Sequence, residues 1–436
     1  DLQRPLLGRY RHLRGGAYPL EKHLATAFYP VFGYGYGRSF GFRQATIQGS
    51  LFKLVTSYAA LQERYQILQT SHSGQTIDSD ILNPLIISDQ VYTKGGVQFV
   101  GYTQEGKPIP QLYKGGRLPR SLAHRNSGTV NLIRALEVLS NPYFSLLASE
   151  CLKDPQNLVE TAKLFSFGEK TGIELPGEIR GHLPQDLSTN RTGLYATAIG
   201  QHSLVVTPLQ TAVMLSAIAN GGQVLRPTIL KAISGNEPTL DLEEELSLSV
   251  FPLQDALRSI GVHFPLFTAL LPSSQARTRR LAEPRIKRQI CMPEEVRNIL
   301  LRGLQATVLR TYQEGFTSLL RLYQSRPQAM TDFAQLKSQF VGKTSTSESV
   351  ENLDLDRNEG TAIYTHVWFG CIAFQEPKPD AKTAVLLKKE LFNEPELVVV
   401  VYLRFGGYGK EAAPVAAEII KKWRSIRSQN RQRYPT

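Results

Sequence analysis

Apolar residues recur along this chain at spacings that divide it into helices first and strands later. Leu51, Leu54, Val55, Tyr58, Ala59 and Leu61 share one helical face, which predicts a helix from about Ser50 to Arg64. The Gly- and Pro-rich stretch 71–120 reads as loops and short strands, and residues 1–45 as a packed surface loop. A helix is expected over about Thr129–Val138. Pro142 disfavours helical backbone at Asn141, so a break is expected there. Another helix spans about Asn157–Phe165. Thr207 caps, and Pro208 opens, a small-residue apolar helix that ends at Asn220-Gly-Gly222 and is therefore buried. Pro293-Glu-Glu-Val296 opens an amphipathic helix to about Val308, and 311–337 reads as extra helix. The pattern then turns to strands: Ser338–Thr346, His366–Phe374, and Ala384–Lys388 with Glu396–Arg404, the last two being one interrupted strand or a hairpin. A closing helix runs Ala412–Trp423. Helices leading into a C-terminal antiparallel sheet give an α/β fold, an antiparallel sheet flanked by helices.

The 436 residues suffice for one large or two ordinary domains, and 42% hydrophobic with 20% charged residues is the balance of a globular chain. No apolar run approaches the ~20 residues of a membrane span. The chain starts at Asp1, so an upstream segment is expected. A net charge of +12 favours anionic surroundings. The excess gathers in Arg277–Arg288 and in Lys421–Arg433, with no nucleic-acid-binding motif beside either, so both read as solvated faces, with membrane-surface contact second. Residues 231–290 have the composition of an insertion. Cys151, Cys291 and Cys371 form no CxxC, and no histidine has ligand spacing, so neither metal nor other cofactor is expected.

Three short motifs carry the chemistry. Ser50-Leu-Phe-Lys53 puts a hydroxyl and an amine one helical turn apart, and Ser50 is the one serine with lysine at the third position after it. A serine at a helix start feels the positive end of the dipole, and a buried lysine with a lowered pKa can serve as its base. Ser140-Asn141 follows, then Lys343-Thr-Ser-Thr346 on a strand, where lysine and hydroxyls can hold a carboxylate and the strand can pair with an extended substrate. Backbone N–H groups of Ser50 and near Thr346 would form an oxyanion hole. The literal Lys170-Thr171-Gly172 follows a helix, lacks strand periodicity, and reads as a structural turn.

In this order the motifs resemble those of class B penicillin-binding proteins, the monofunctional peptidoglycan transpeptidases. Gln48-Gly-Ser-Leu-Phe-Lys53 resembles their nucleophile motif. The likeness continues through Arg4-Pro-Leu-Leu7, Gly128-Thr-Val-Asn-Leu132 and Phe167-Gly-Glu-Lys-Thr-Gly-Ile-Glu-Leu-Pro-Gly-Glu178. It goes on in Ala198-Ile-Gly-Gln201, Val206-Thr-Pro-Leu-Gln210, Ala217-Ile-Ala-Asn-Gly-Gly222, Trp368-Phe-Gly370 and Ala412-Ala-Pro414. The resemblance implies the penicillin-binding/serine β-lactamase-like transpeptidase fold over residues 1–436, with insertions at about 231–290 and 311–337 and a basic tail 424–436. It implies an acyl-enzyme on Ser50 with Lys53 as base and Asn141 and Lys343 completing the catalytic set. Thr344, Ser345 and Thr346 would bind substrate. Expected ligands are stem peptides and β-lactams, and expected partners a membrane glycan polymerase and elongation or division proteins. The expected place is the outer face of the cytoplasmic membrane, with the anchor, pedestal and first sheet strands outside this chain.

Two positions depart from the family pattern. Leu139 stands where the family's Ser-x-Asn has serine, which removes a hydroxyl that helps relay protons, and Ser345 stands for a glycine, where a side chain would crowd substrate. They leave a second reading, a degenerate relative that binds stem peptides or division partners without turnover. His202 replaces another usual glycine. A β-lactamase reading lacks a carboxylate motif to activate the deacylating water.

Overall fold

The computed structural model describes residues 41–71, 77–121, 126–175, 177–230, 232–235, 278–281, 283–318, 327–354, 359–375, 394–404 and 407–433. Residues 1–40 of the expected surface loop and the expected strand Ala384–Lys388 lie outside these residues. The chain divides into a large unit and a small one; the small unit takes in Gly172–Glu174 and Arg226–Arg285, the bulk of the expected insertion.

In the large unit a 3₁₀ turn, Gly49–Leu51, leads into helix α1 (Lys53–Ser71). Residues from Lys53 to Leu61 are buried on every side, the mark of a central helix. α1 runs past the expected Arg64 because Gln66, Leu68 and Gln69 are good helix formers and Leu68 still finds the core. Strands β1 (Ile87–Lys94), β2 (Val97–Thr103), β3 (Pro108–Pro110) and β4 (Gly128–Val130) form an antiparallel sheet in the order β3-β2-β1-β4.

Helix α2 (Leu132–Val138) starts later than expected, because Thr129 and Val130 belong to β4 and Asn131 caps the helix by accepting from the Arg134 N–H. It ends on Leu139 in the left-handed conformation (φ 64°). Ser140 then caps α3 (Asn141–Glu150). The break therefore falls at Leu139-Ser140 and not at Asn141, since Pro142 sits in the first turn, where a missing N–H costs nothing. Next come α4 (Gln156–Leu164), α5 (Arg191–Ala198) and α6 (Pro208–Ala219). Thr207 and Gln210 close a reciprocal capping box on α6.

The small unit contains a described hairpin, β5 (Ala232–Gly235) with β6 (Thr278–Leu281), in antiparallel register. Back in the large unit, α7 (Glu294–Ser318) overruns the expected Val308, and α8 (Pro327–Leu336) follows, so 311–337 comprises the end of one helix and a second one. Strands β7 (Phe340–Asp354), β8 (Glu359–Phe374) and β9 (Pro395–Leu403) form the antiparallel sheet β7-β8-β9. Helix α9 (Ala412–Arg433) closes the chain.

α9 corrects one expectation: residues 424–433 continue the helix and are not a tail. Arg424 has partners that hold it there, donating to Glu396 Oε1 on β9 (2.6 Å) and to the Phe374 carbonyl (2.7 Å). Alternation along the strands gives the sheet two apolar faces. Val341 and Ile372 face the core built on α1 and α6, while Phe340, Phe369 and Cys371 face α9. Ala412, Ala413, Ala416 and Ala417 let α9 lie close on that second face. No helix among the described residues is long and apolar enough to cross a membrane.

Candidate active site

The turn expected to carry the nucleophile is fastened from three directions. Gly49, at φ 63°, donates its N–H to the Gly200 carbonyl (2.8 Å). Gln48 donates to Thr211 Oγ1 on α6 (2.9 Å), and Trp368 on β8 donates to the Ile47 carbonyl (3.2 Å). Gln48, Gly49, Leu51 and Phe52 are buried, whereas Ser50 between them keeps partial exposure. The turn thus presents one hydroxyl from an otherwise immobilised segment.

Lys53 lies at the third position after Ser50, where successive turns of a 3₁₀ or α-helix bring side chains onto one face. Its amine donates to Asn141 Oδ1 (2.8 Å) and to the Leu139 carbonyl (3.1 Å), and sits 5.0 Å from the centre of the Phe144 ring. Burial pulls its pKa down from 10.5 to about 7, and the Asp89 carboxylate opposes part of that fall. A large fraction of the amine is therefore neutral near neutral pH, as a base requires.

Asn141 is aimed at this lysine by two further bonds. Its side-chain amide donates to the Arg120 carbonyl (2.9 Å), and its backbone N–H donates to Ser121 Oγ (3.2 Å). Ser140 is buried and turned to structural work, accepting from the Tyr143 N–H (3.3 Å). Leu139 offers Lys53 a carbonyl where the family pattern has a hydroxyl.

Lys343 is fully buried opposite Gly370 in the β7–β8 register, and its amine donates to the Thr344 carbonyl (3.0 Å). Burial, and then repulsion from Lys53, hold its pKa well below 10.5. Thr344 and Thr346 alternate onto the other face of the strand. Thr346 Oγ1 accepts from the Gly409 N–H (3.0 Å), so the turn before α9 covers that end of the strand. A β-carbon on Gly49 would come within 3.0 Å of the Thr346 carbonyl, which places the nucleophile turn directly against the Thr346 backbone.

Ser345 does not project outward. It is 2% exposed and donates to the Gln48 carbonyl (2.7 Å), tying β7 to the nucleophile turn. Ser345→Gly is expected to destabilise the fold by about 1–2 kcal/mol, by removing a buried hydrogen bond and putting a glycine in the strand. Urea denaturation would show this as a lowered midpoint, and an unchanged midpoint would refute it.

The expected residues thus reach one region from three parts of the chain. Lys53 and Asn141 meet at the α1–α3 junction, one turn after Ser50, with Lys343 near enough to Lys53 to repel it and Ser345 against the turn, while Thr344 and Thr346 face away from Lys343. The Lys170-Thr171-Gly172 match is structural: the Thr171 N–H donates to Glu178 Oε1 (2.7 Å). Sequence reasoning missed Asp89, Ser121 and Gly200. The signal for Asp89 was an acid on the inward phase of a strand-like run, two residues after buried Ile87.

Residues 113–420 match the family described as the penicillin binding protein transpeptidase domain. The chain belongs to this family. It is of the class B type that the motifs resemble. Among curated relatives, it is 33% identical over 119 residues to peptidoglycan D,D-transpeptidase MrdA of Acinetobacter baumannii, covering 26% of this chain and 17% of that protein. It is 30% identical over 183 residues to stage V sporulation protein D of Bacillus subtilis, covering 42% of this chain and 23% of that protein. The matched stretches thus span about a fifth of these relatives' own length. The D,D-transpeptidase domain of an Eggerthella lenta peptidoglycan glycosyltransferase shares the fold, with a TM-score of 0.51 at 17% identity over 89% of this chain and 67% of that one.

Proposed function

We propose that this penicillin-binding domain is a peptidoglycan D,D-transpeptidase with Ser50 as nucleophile and Lys53 as base. The observation that carries the reading is the buried Lys53 amine, held by Asn141 one turn after a partly exposed serine. Ser50 Oγ attacks the carbonyl of a D-Ala-D-Ala stem peptide as its proton passes to the neutral Lys53 amine. The tetrahedral oxyanion is met by the backbone N–H groups of Ser50 and Thr346. The C–N bond breaks, D-Ala leaves with that proton, and the serine ester remains. An amine of a neighbouring stem attacks the ester and loses a proton to Lys53, the ester C–O bond breaks, and Lys53 passes that proton to the departing Ser50 Oγ. Lys343, Thr344, Ser345 and Thr346 form the strand beside which the substrate lies. A β-lactam follows the first half of this course and traps Ser50.

The reading places the chain in the cell envelope, at the outer face of the cytoplasmic membrane, anchored by a preceding segment. There it would act with a membrane glycan polymerase and elongation or division proteins. A second reading, stem-peptide or partner binding without turnover, draws on Leu139 and on the Thr346 hydroxyl already engaged by Gly409.

Labelling of the full-length protein with a fluorescent penicillin, beside Ser50→Ala, separates the two. An adduct that disappears in the alanine variant is expected. No adduct at saturating β-lactam would overturn the transpeptidase reading in favour of the binding one.

A further inference from the structure

Asp89 is a fully buried acid that the reaction above does not use. It sits on β1, on the inward phase shared with Ile87. Its Oδ2 accepts from Ser121 Oγ (2.7 Å), and the Ser140 hydroxyl faces the same carboxylate, while Oδ1 has no partner at hydrogen-bond geometry among the described residues. Ser121 Oγ in turn accepts from the Asn141 N–H (3.2 Å), and Asn141 Oδ1 accepts from Lys53 (2.8 Å). Asp89 is thus connected to Lys53 through two residues by hydrogen bonds and once more through space.

A buried carboxylate is expensive unless something compensates it. Burial raises the Asp89 pKa, while the two serine hydroxyls and the Lys53 charge lower it. Among the described residues, groups from several elements interact with Lys53. Asp89 comes from β1, Leu139 carbonyl and Asn141 amide from the α2–α3 junction, the Phe144 ring from α3, and Lys343 from β7. Among these Asp89 is the one anion.

We propose that Asp89 is a positioning residue for Lys53: through Ser121 it fixes Asn141 against the amine, and through space it is the amine's counter-charge. The proposal rests on the transpeptidase reading only for the role of Lys53 as base. The Asp89–Lys53 coupling stands apart from it.

The coupling can be read without any acylation, by following the ¹³Cε titration of Lys53 in the full-length protein carrying labelled lysine. The resonance is assigned by its loss in Lys53→Met. In Asp89→Asn, which keeps the shape and removes the charge, the Lys53 midpoint is expected to fall below its wild-type value. Coupling is reciprocal, so in Lys53→Met the Asp89 carboxyl midpoint should rise by the same amount. That second measurement decides the matter if Asp89→Asn does not fold. Unchanged midpoints would overturn the proposal. The acid limb of penicillin acylation should move to lower pH in Asp89→Asn, whereas a merely structural role would lower its height without moving it. A protein that shows the coupling yet takes no penicillin would keep this assignment and overturn the transpeptidase reading.

Discussion

Replacing Lys53 with methionine is expected to slow acylation by penicillin about 10²–10⁴-fold, the usual worth of a positioned general base. Methionine keeps the length and the apolar stem, so the loss isolates the amine. On the proposed mechanism the working form in the wild type is the neutral amine, with a pKa near 7 set first by burial and then by Asp89. Acylation should therefore fall about tenfold per pH unit once the pH drops well below that value. The same shift predicts a stability profile. The folded pKa lies below the unfolded 10.5, so between about 7 and 10.5 the unfolded chain binds a proton that the folded chain lacks. Stability then rises with pH across that window and is flat, as far as this group is concerned, below it. Lys343 is shifted in the same direction, so Lys53→Met should reduce the rise without abolishing it. Urea midpoints for both proteins at about pH 6.5 and about pH 9.5 check the stability arm. Acylation rates over the same range check the other. A methionine variant that acylates at the wild-type rate would remove Lys53 from the mechanism.

What the sequence made legible was local. The Ser50–Lys53 spacing survives whether the segment is 3₁₀ or α, because residues three apart share a face in both. The α6 boundaries were readable because Thr207 and Pro208 mark its start and Asn220-Gly-Gly222 its end. The alternation of Lys343 against Thr344 and Thr346 follows from period two alone. What stayed hidden depends on partners far away in the chain. Arg424 belongs to a helix because Glu396 and Phe374 wait for it, and nothing near residue 424 announces that. Asp89 becomes a site residue only when β1 is laid beside the α2–α3 junction. Leu139 reads as a lost hydroxyl, yet its left-handed backbone turns a carbonyl to Lys53, an acceptor that side-chain matching does not reveal. Ser345 reads as an obstruction to substrate until the Gln48 carbonyl supplies it with an inward partner.

Gly200→Ala is expected to damage the nucleophile more than its size suggests. A β-carbon at residue 200 would stand 1.9 Å from the Gly49 carbonyl oxygen and 2.9 Å from the Phe52 β-carbon, on a backbone at φ 80°. The first of these neighbours is main chain, so no rotamer change relieves the contact, and the turn bearing Ser50 must move. Strain and overpacking together should cost about 1–3 kcal/mol. Displacement of the nucleophile by even about 1 Å should reduce acylation about 10²-fold. Gly221→Ala separates the two contributions. It has nearly the same φ, 79°, but a β-carbon there meets nothing within 4 Å. It should lose about 1–2 kcal/mol of stability from the backbone conformation alone and keep its acylation rate. Denaturation midpoints and penicillin acylation rates measured side by side decide the point. If Gly200→Ala acylated as fast as Gly221→Ala, the Gly49–Gly200 contact would be a matter of stability only, and Ser50 would be held by Gln48, Ser345 and Trp368 alone.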